Sequence, residues 1–184
     1  MRVLVVHRYY SPERVPCASI MRAIATRLSE DGHQVDVLSS KPSRVIDQAP
    51  DNEIIIDAAD EVRVFRLSLP PEVNRPVWRI VNAIYLGVTL LFKAIFTRYD
   101  VIISTSIPPV LGGFFSSLAS KLIRARFIYY CMDLHPEIGR VSGDFSNHLI
   151  YSLLLRIDDW NCRQASSVLV HSEDMRNTLR ARPR

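Results

Sequence analysis

Three residues able to do chemistry fall on alternate positions of one short stretch: Asp133, His135 and Glu137, with Pro136 between the last two. A carboxylate or an imidazole so placed can orient a hydroxyl or take a proton from it. The residues before them, Arg126 to Met132, read Arg-Phe-Ile-Tyr-Tyr-Cys-Met, the composition of a buried strand. In an open parallel sheet, ligands bind in the crevice outside the carboxyl ends of the strands. Titratable groups directly after a buried strand are therefore the first site candidate. The competing reading is turn chemistry, with Asp133 capping the turn and Pro136-Glu137 continuing the loop. The position at a strand's carboxyl end favours function.

A sheet must lie beneath that site, and the rest of the chain supplies it. Arg2 to Val6 is a continuous apolar run, as in a strand buried on both faces. A polar and aromatic loop from His7 to Glu13 follows. Met21, Ile24, Ala25 and Leu28 then recur at helical spacing, opposite Arg22, Arg27 and Glu30, and Gly32 closes the helix. Gln34 to Ser39 is the second strand, completing a strand-helix-strand unit with a right-handed crossover. Residues 42 to 60 are polar around Ile54, Ile55 and Ile56, so a loop with at most one added strand is expected. Val62 to Leu67, stopped by Pro70 and Pro71, is the third strand, and Asp100 to Ser104 the fourth. Two prolines at 108–109 and two glycines at 112–113 open an apolar helix to Ile123. The glycines serve either tight packing on the sheet or close approach of a ligand. Arg126 to Met132 is the fifth strand. A loop through Gly139 to Gly143 leads to a helix with Leu149, Leu153, Leu154, Ile157 and Trp160 on one side. Ser167 to Val170 is the sixth strand, and Ser172 caps a last helix with Glu173 and Asp174 in its first turn. The predicted fold is α/β: one doubly wound, mostly parallel, Rossmann-like domain over 1–184.

Composition narrows the function classes. A chain of 184 residues with 48% hydrophobic and 23% charged residues is a globular domain with a proper core. Cys17, Cys131 and Cys162 are too few and too widely spaced for a disulfide framework or a zinc site, which fits a reducing compartment. Met1 runs straight into a strand pattern, without the regions of a secretory leader. A net charge of +4 suits a phosphate-bearing ligand or an anionic membrane surface. No basic run with interleaved aromatics occurs, so nucleic acid is not expected as a partner. The most apolar helix runs from Trp78 to Phe96, and Ile80 to Phe92 is a stretch of 13 residues without charge. That is shorter than the roughly 20 residues needed to span a bilayer. Arg75, Arg79, Lys93 and Arg98 flank it. It reads as a core helix on one face, with contact to anionic lipid open to the other.

No Gly-x-Gly-x-x-Gly follows the first strand, and no P-loop, nucleophile elbow or zinc pattern occurs. What remains is an ordered series: Arg2-Val-Leu-Val-Val with Tyr10-Ser11-Pro12-Glu13; Asp36-Val37-Leu38-Ser39; Asp100-Val101-Ile102-Ile103-Ser104 with Pro108-Pro109; Asp133-Leu134-His135-Pro136-Glu137; and Val168 to Glu173. In this order and spacing the series resembles the family 4 glycosyltransferases of the GT-B fold, over essentially the whole chain. Within them it is similar to bacterial enzymes related to colanic acid and O-antigen sugar transferases.

The resemblance implies a retaining sugar transferase of two Rossmann-like domains facing across a cleft. The first receives the acceptor and the second holds a nucleotide-sugar donor. Neither a metal nor another cofactor is implied. The chain corresponds to the acceptor half and ends where that half would end, so a donor-binding domain or subunit has to come from elsewhere. The resemblance further implies polysaccharide or lipopolysaccharide building in the cytoplasm or peripherally at the inner face of the cell membrane. There residues 76–98 would touch the membrane and the acceptor would be a sugar or lipid-linked sugar. On this reading Asp133, His135 and Glu137 form the catalytic cluster. Substrate is bound by His7, Arg8, Tyr10 and Glu13 on the first loop, with Arg8 forking an acceptor phosphate or merely solvated. Ser104, Thr105 and Ser106 either bind sugar hydroxyls or cap the next helix. The glycines that the family carries after the Pro-Glu are replaced by Val15-Pro16-Cys17-Ala18-Ser19. Other readings are a non-catalytic acceptor-binding subunit completed in trans, an inactive truncated product, and an unrelated α/β ligand-binding or receiver-like domain. The last would want clustered aspartates where His7-Arg8-Tyr9 stands.

Overall fold

The computed structural model describes residues 1–13, 15–42, 54–57, 62–70, 75–141 and 147–182. Seven strands form one sheet: β1 (Arg2–Val6), β2 (Gln34–Ser40), β3 (Ile54–Asp57), β4 (Val62–Leu67), β5 (Val101–Thr105), β6 (Arg126–Cys131) and β7 (Ser167–Val170). Their order is β3-β4-β2-β1-β5-β6-β7. Six are mutually parallel, and β3 adds to the edge antiparallel to β4, with Ile55 opposite Val64. The predicted α/β Rossmann-like sheet is therefore the observed one, and the strand allowed for near Ile54 to Ile56 is β3. Residues 43–53, 58–61 and Pro71 lie outside the described residues.

The order turns around at β1. From β1 the chain moves one way to β2 and β4, then crosses back to β5 and on to β6 and β7. Right-handed crossovers put the helices of the two halves on opposite faces. On one face, α1 (Pro16–Glu30) buries Ala18, Met21 and Ala25 against Val3, Val5, Val35, Val37 and Val64. Gly32, at φ 80°, ends that helix, and its amide donates to the Ser29 carbonyl at 2.8 Å. On the other face lie α2 (Pro76–Thr97), α3 (Leu111–Ile123) and α5 (His148–Gln164), with α4 (His135–Val141) leading into α5. The loop expected from Gly139 to Gly143 is corrected over its described part: residues 135–141 are helical, and residues 142–143 lie outside the described residues. The last helix, α6 (Glu173–Ala181), is capped by Ser172, whose Oγ accepts from the Met175 amide at 3.2 Å.

Helix α2 is longer than its uncharged core suggested. It is 22 residues, and among the described residues it is the one helix long and apolar enough to cross a membrane. One face of it is a packing face: Leu86, Leu90 and Ala94 sit on Leu4, Val6, Leu38 and Ile102. Asn82 Nδ2 donates to the Pro70 carbonyl at 2.9 Å. A Cβ on Gly87 would fall inside the Phe115 ring of α3. Lys93, expected as a flanking surface cation, instead turns inward. Its Nζ lies 3.3 Å from Asp36 Oδ2 and 3.0 Å from the centroid of Phe65. Asp36 is buried and also receives Arg63 at 2.8 Å and the Tyr99 hydroxyl. Burial lowers the Lys93 pKa and the aspartate works to raise it back.

Gly112 and Gly113 serve packing. A Cβ at Gly113 would press on Asn161 and Tyr129, and one at Gly112 on Pro108.

Two substitutions test these contacts by urea denaturation. Gly87→Ala forces α2 away from Phe115 and is expected to cost about 1–3 kcal/mol. Asp36→Asn leaves the half-sequestered Lys93 without its counter-charge and is expected to cost roughly 2–4 kcal/mol.

Candidate functional site at the strand ends

The reversal of strand order at β1 and β5 opens a crevice at their carboxyl ends. His7 follows directly on β1 and Thr105 ends β5. Their side chains meet in the interior, His7 Nδ1 to Thr105 Oγ1 at 2.6 Å, and both residues are fully buried. Burial pushes the imidazole pKa down to about 4, so the ring is neutral at neutral pH. Its Nε2 is buried with no hydrogen-bond partner. A buried polar atom left unpaired costs roughly 1–3 kcal/mol, which makes this nitrogen a candidate contact for a ligand or a buried water.

The loop over His7 is pinned at several points. The Arg8 carbonyl accepts from Ser39 Oγ at 2.9 Å, Ser40 Oγ at 2.7 Å and the Ser40 amide at 2.9 Å. Arg66 on β4 donates to the Ser11 carbonyl. Tyr10 is buried among Val3, Val5 and Met21, and Glu13 is buried as well. Arg8 is half-buried and its guanidinium lies 5.3 Å from the Tyr9 ring. Of the four first-loop residues named from the sequence, His7 alone combines a strand-end position with an unpartnered buried atom. Ser39, Ser40 and Arg66 are the residues that sequence reasoning missed. Only their place at the ends of β2 and β4 could have flagged them.

The residues 104–106 build the crevice floor. All three are buried. Thr105 holds His7. Ser106 Oγ accepts from the Met132 and Asp133 amides, both at 3.2 Å, and so ties the exit of β6 to that of β5. They do not cap α3: its N-cap is Val110, without a side-chain cap. Val110 sits at φ 59°, a left-handed conformation that costs a β-branched residue energy. Asn161 Nδ2 steadies it by donating to its carbonyl at 2.9 Å.

The structure splits the first candidate cluster in two. Asp133 is about half exposed at the crevice rim, and its Oδ2 lies 4.0 Å from His135 Nε2. Burial lowers the His135 pKa, with Asp133 pulling it back up. Glu137 is engaged with a different partner. Arg182 forks it, Nε to Oε1 at 2.8 Å and Nη2 to Oε2 at 2.9 Å. The same guanidinium reaches Asp158 at 2.8 Å, and the Tyr129 hydroxyl donates to Asp158 at 2.8 Å. Arg182, Asp158 and Tyr129 are all buried. Glu137 is thus held in an ion-pair network that fastens α4 to α5 and to the residue after α6.

Tyr130 and His171, at the ends of β6 and β7, also approach each other, rings 5.2 Å apart. A separate groove of about 950 Å³ runs along α1 from Ser11 and Glu13 past Ser19 and Arg22 to Glu30. Neither His7 nor Asp133 lines it. Among the described residues, no three His, Cys, Asp or Glu side chains converge as a metal site requires.

The His7 environment has a measurable signature. Its pKa is lower folded than unfolded, so its contribution to stability is full above pH 6.5 and is lost as pH falls towards 4. Urea titrations at pH 7 and pH 4.5 are expected to show a loss that His7→Asn reduces by an amount on the order of 2 kcal/mol. His135 adds to the same slope in both proteins and cancels in the comparison.

Comparison with known proteins identifies the fold and the family. Two plant proteins share the fold. UGT73P12 of Glycyrrhiza uralensis, solved with glycyrrhetinic acid 3-O-monoglucuronide, superposes with a TM-score of 0.58 at 11% identity over 97% of this chain and 45% of its own. UGT89C1 of Arabidopsis thaliana, solved with UDP, gives a TM-score of 0.51 at 14% identity over 97% and 47%. The chain therefore spans about half the length of each and has the fold of a GT-B half-domain. No curated protein sequence matches it. A family model described as a glycosyl transferase 4-like domain matches residues 17–184. The chain belongs to the glycosyl transferase 4-like domain family.

Proposed function

We propose that this domain is the acceptor-side half of a glycosyltransferase, which moves a sugar from a nucleotide-sugar donor to a hydroxyl of a polysaccharide or lipid-linked acceptor. The observation that carries the reading is the neutral imidazole of His7 at the topological switch point, with one nitrogen held by Thr105 and the other unpaired. With the Thr105 hydroxyl donating to the Ile107 carbonyl at 3.2 Å, His7 Nδ1–H donates to Thr105 Oγ1, and the bare Nε2 can accept the proton of an attacking hydroxyl. Thr105 keeps the ring in one orientation.

Asp133 and His135 sit at the rim and orient the acceptor by hydrogen bonds to its hydroxyls. Glu137 holds α4 in place through Arg182. The donor belongs to a second Rossmann-like unit, on the same polypeptide or on another, and the half-length match to both plant structures supports this division. Protein groups alone hold the leaving diphosphate, without a metal.

The test is a transfer assay on the native polypeptide, with any donor-binding unit that co-purifies. UDP-, GDP- and dTDP-linked radiolabelled hexoses serve as donors and a membrane lipid extract as acceptor. His7→Asn is expected to lower kcat about a hundredfold or more, the usual range for a general base. Asp133→Asn should act mainly on the acceptor KM, and Glu137→Gln on stability. No incorporation from any donor would overturn the transferase reading. An unchanged kcat in His7→Asn would remove His7 from the chemistry.

A further inference from the structure

We propose that the outward face of α2 is a lipid-docking surface, on which the helix lies in the plane of an anionic membrane and does not cross it. Val77, Val81, Ile84, Tyr85, Val88, Phe92, Ile95 and Phe96 are all exposed. They recur three or four residues apart over more than five turns, so they form one continuous stripe. A surface helix ordinarily puts charge on that side. Here the side facing the sheet is apolar and the side facing away is apolar too, and only the first is covered. An uncovered stripe of this kind marks an interaction site.

Charge selects the occupant. Neither α2 nor α3 contains an Asp or Glu. Arg75 and Arg79 stand exposed at one end of α2 and Arg98 at the other. The one further cation of the helix, Lys93, is neutralised by Asp36 on the inner side. The result is an apolar bar with cationic ends and an exposed Trp78 beside Arg79, which fits acyl chains flanked by anionic headgroups. A second copy of this chain fits worse. Two such bars packed antiparallel would bring Arg98 of each against Arg75 and Arg79 of the other, and like charges across an interface oppose association.

A spanning helix is excluded by the inner face. Leu86, Leu90 and Ala94 are packed on the sheet, Gly87 is fitted to Phe115, and Lys93 is paired with Asp36. Crossing the bilayer would tear all of these away and strand Asp36. Lying on the surface leaves them intact. The first turn of α2 follows β4 and so stands at the crevice end of the sheet. On the proposed function, docking holds the crevice beside the headgroups, within reach of a lipid-linked acceptor. The docking inference itself does not depend on that function.

Vesicle flotation at low salt tests it, with liposomes of phosphatidylcholine alone or mixed with phosphatidylglycerol. The wild-type protein is expected to float with the anionic vesicles. The V88E/F92E variant changes two exposed positions and should lower the partition coefficient at least about tenfold. Replacing Arg75 and Arg79 by Gln should weaken anionic binding roughly fivefold per arginine and leave phosphatidylcholine binding unchanged. Circular dichroism confirms that both variants keep the fold. Wild-type protein that stays with neither vesicle overturns the proposal, as does V88E/F92E floating like wild type. A wild-type dimer that V88E/F92E converts to monomer, without flotation, also overturns it and assigns the stripe to a second copy. None of these readouts uses sugar transfer, so the docking surface and the proposed activity stand or fall separately.

Discussion

Everything at the candidate site follows from the way the chain leaves β1 and β5. The two strands are neighbours, and the crossovers that follow them diverge to opposite sides of the sheet. No helix can then cover the seam between their carboxyl ends, and a crevice is left there. The hydrogen bond from His7 to Thr105 spans that seam. It joins the first half of the sheet to the second at the point where the backbone itself opens. Ser106 repeats the arrangement one strand further on, between β5 and β6. The crevice is therefore lined by groups that first stabilise its walls, and among the described residues the unpaired His7 nitrogen, the half-exposed Asp133 and His135 beside it remain to meet a ligand.

Two charge clusters stand at opposite ends of the sheet and do different work. Asp36, Lys93, Arg63 and Tyr99 lock α2 against β2 and β4. Arg182, Glu137, Asp158 and Tyr129 lock α4 and α5 near the site. Neither cluster adds much net stability by itself, because desolvating the charges offsets their attraction. Each ties a helix to its neighbours at a fixed position along its length.

The sheet was largely readable from the sequence. Runs such as Val3-Leu4-Val5-Val6 are apolar on both sides, and only a central parallel strand asks for that. The helix at 135–141 was not readable: it is short, and Pro136 and Gly139 are residues that usually mark loops. The proline is tolerated because it occupies the first turn of α4. For the site, sequence spacing pointed to Asp133, His135 and Glu137 as a set, and three-dimensional packing breaks that set. The fork from Arg182 is 45 residues away in the chain, so no local pattern could announce it. Lys93 was read as a surface cation for the same reason, since its partner lies on a strand far earlier in the chain. His7 could be named from its place after β1, but its burial and its bond to Thr105, across 98 residues, could not.

The Arg182 network also has a consequence in time. Glu137 and Asp158 are made 45 and 24 residues before the arginine that neutralises them. A chain emerging from the ribosome, at some 5–20 residues per second, would carry both carboxylates for seconds before their counter-charge appears. Buried and unpaired acids are costly, so α4 and α5 gain little by docking until the turn beyond α6 is out. Asp36 on β2 has the same dependence, since Arg63 and Tyr99 follow it by 27 and 63 residues and Lys93 lies between them. Both clusters thus close only after long stretches of chain, and the rim beside the crevice, which waits for Arg182, sets last.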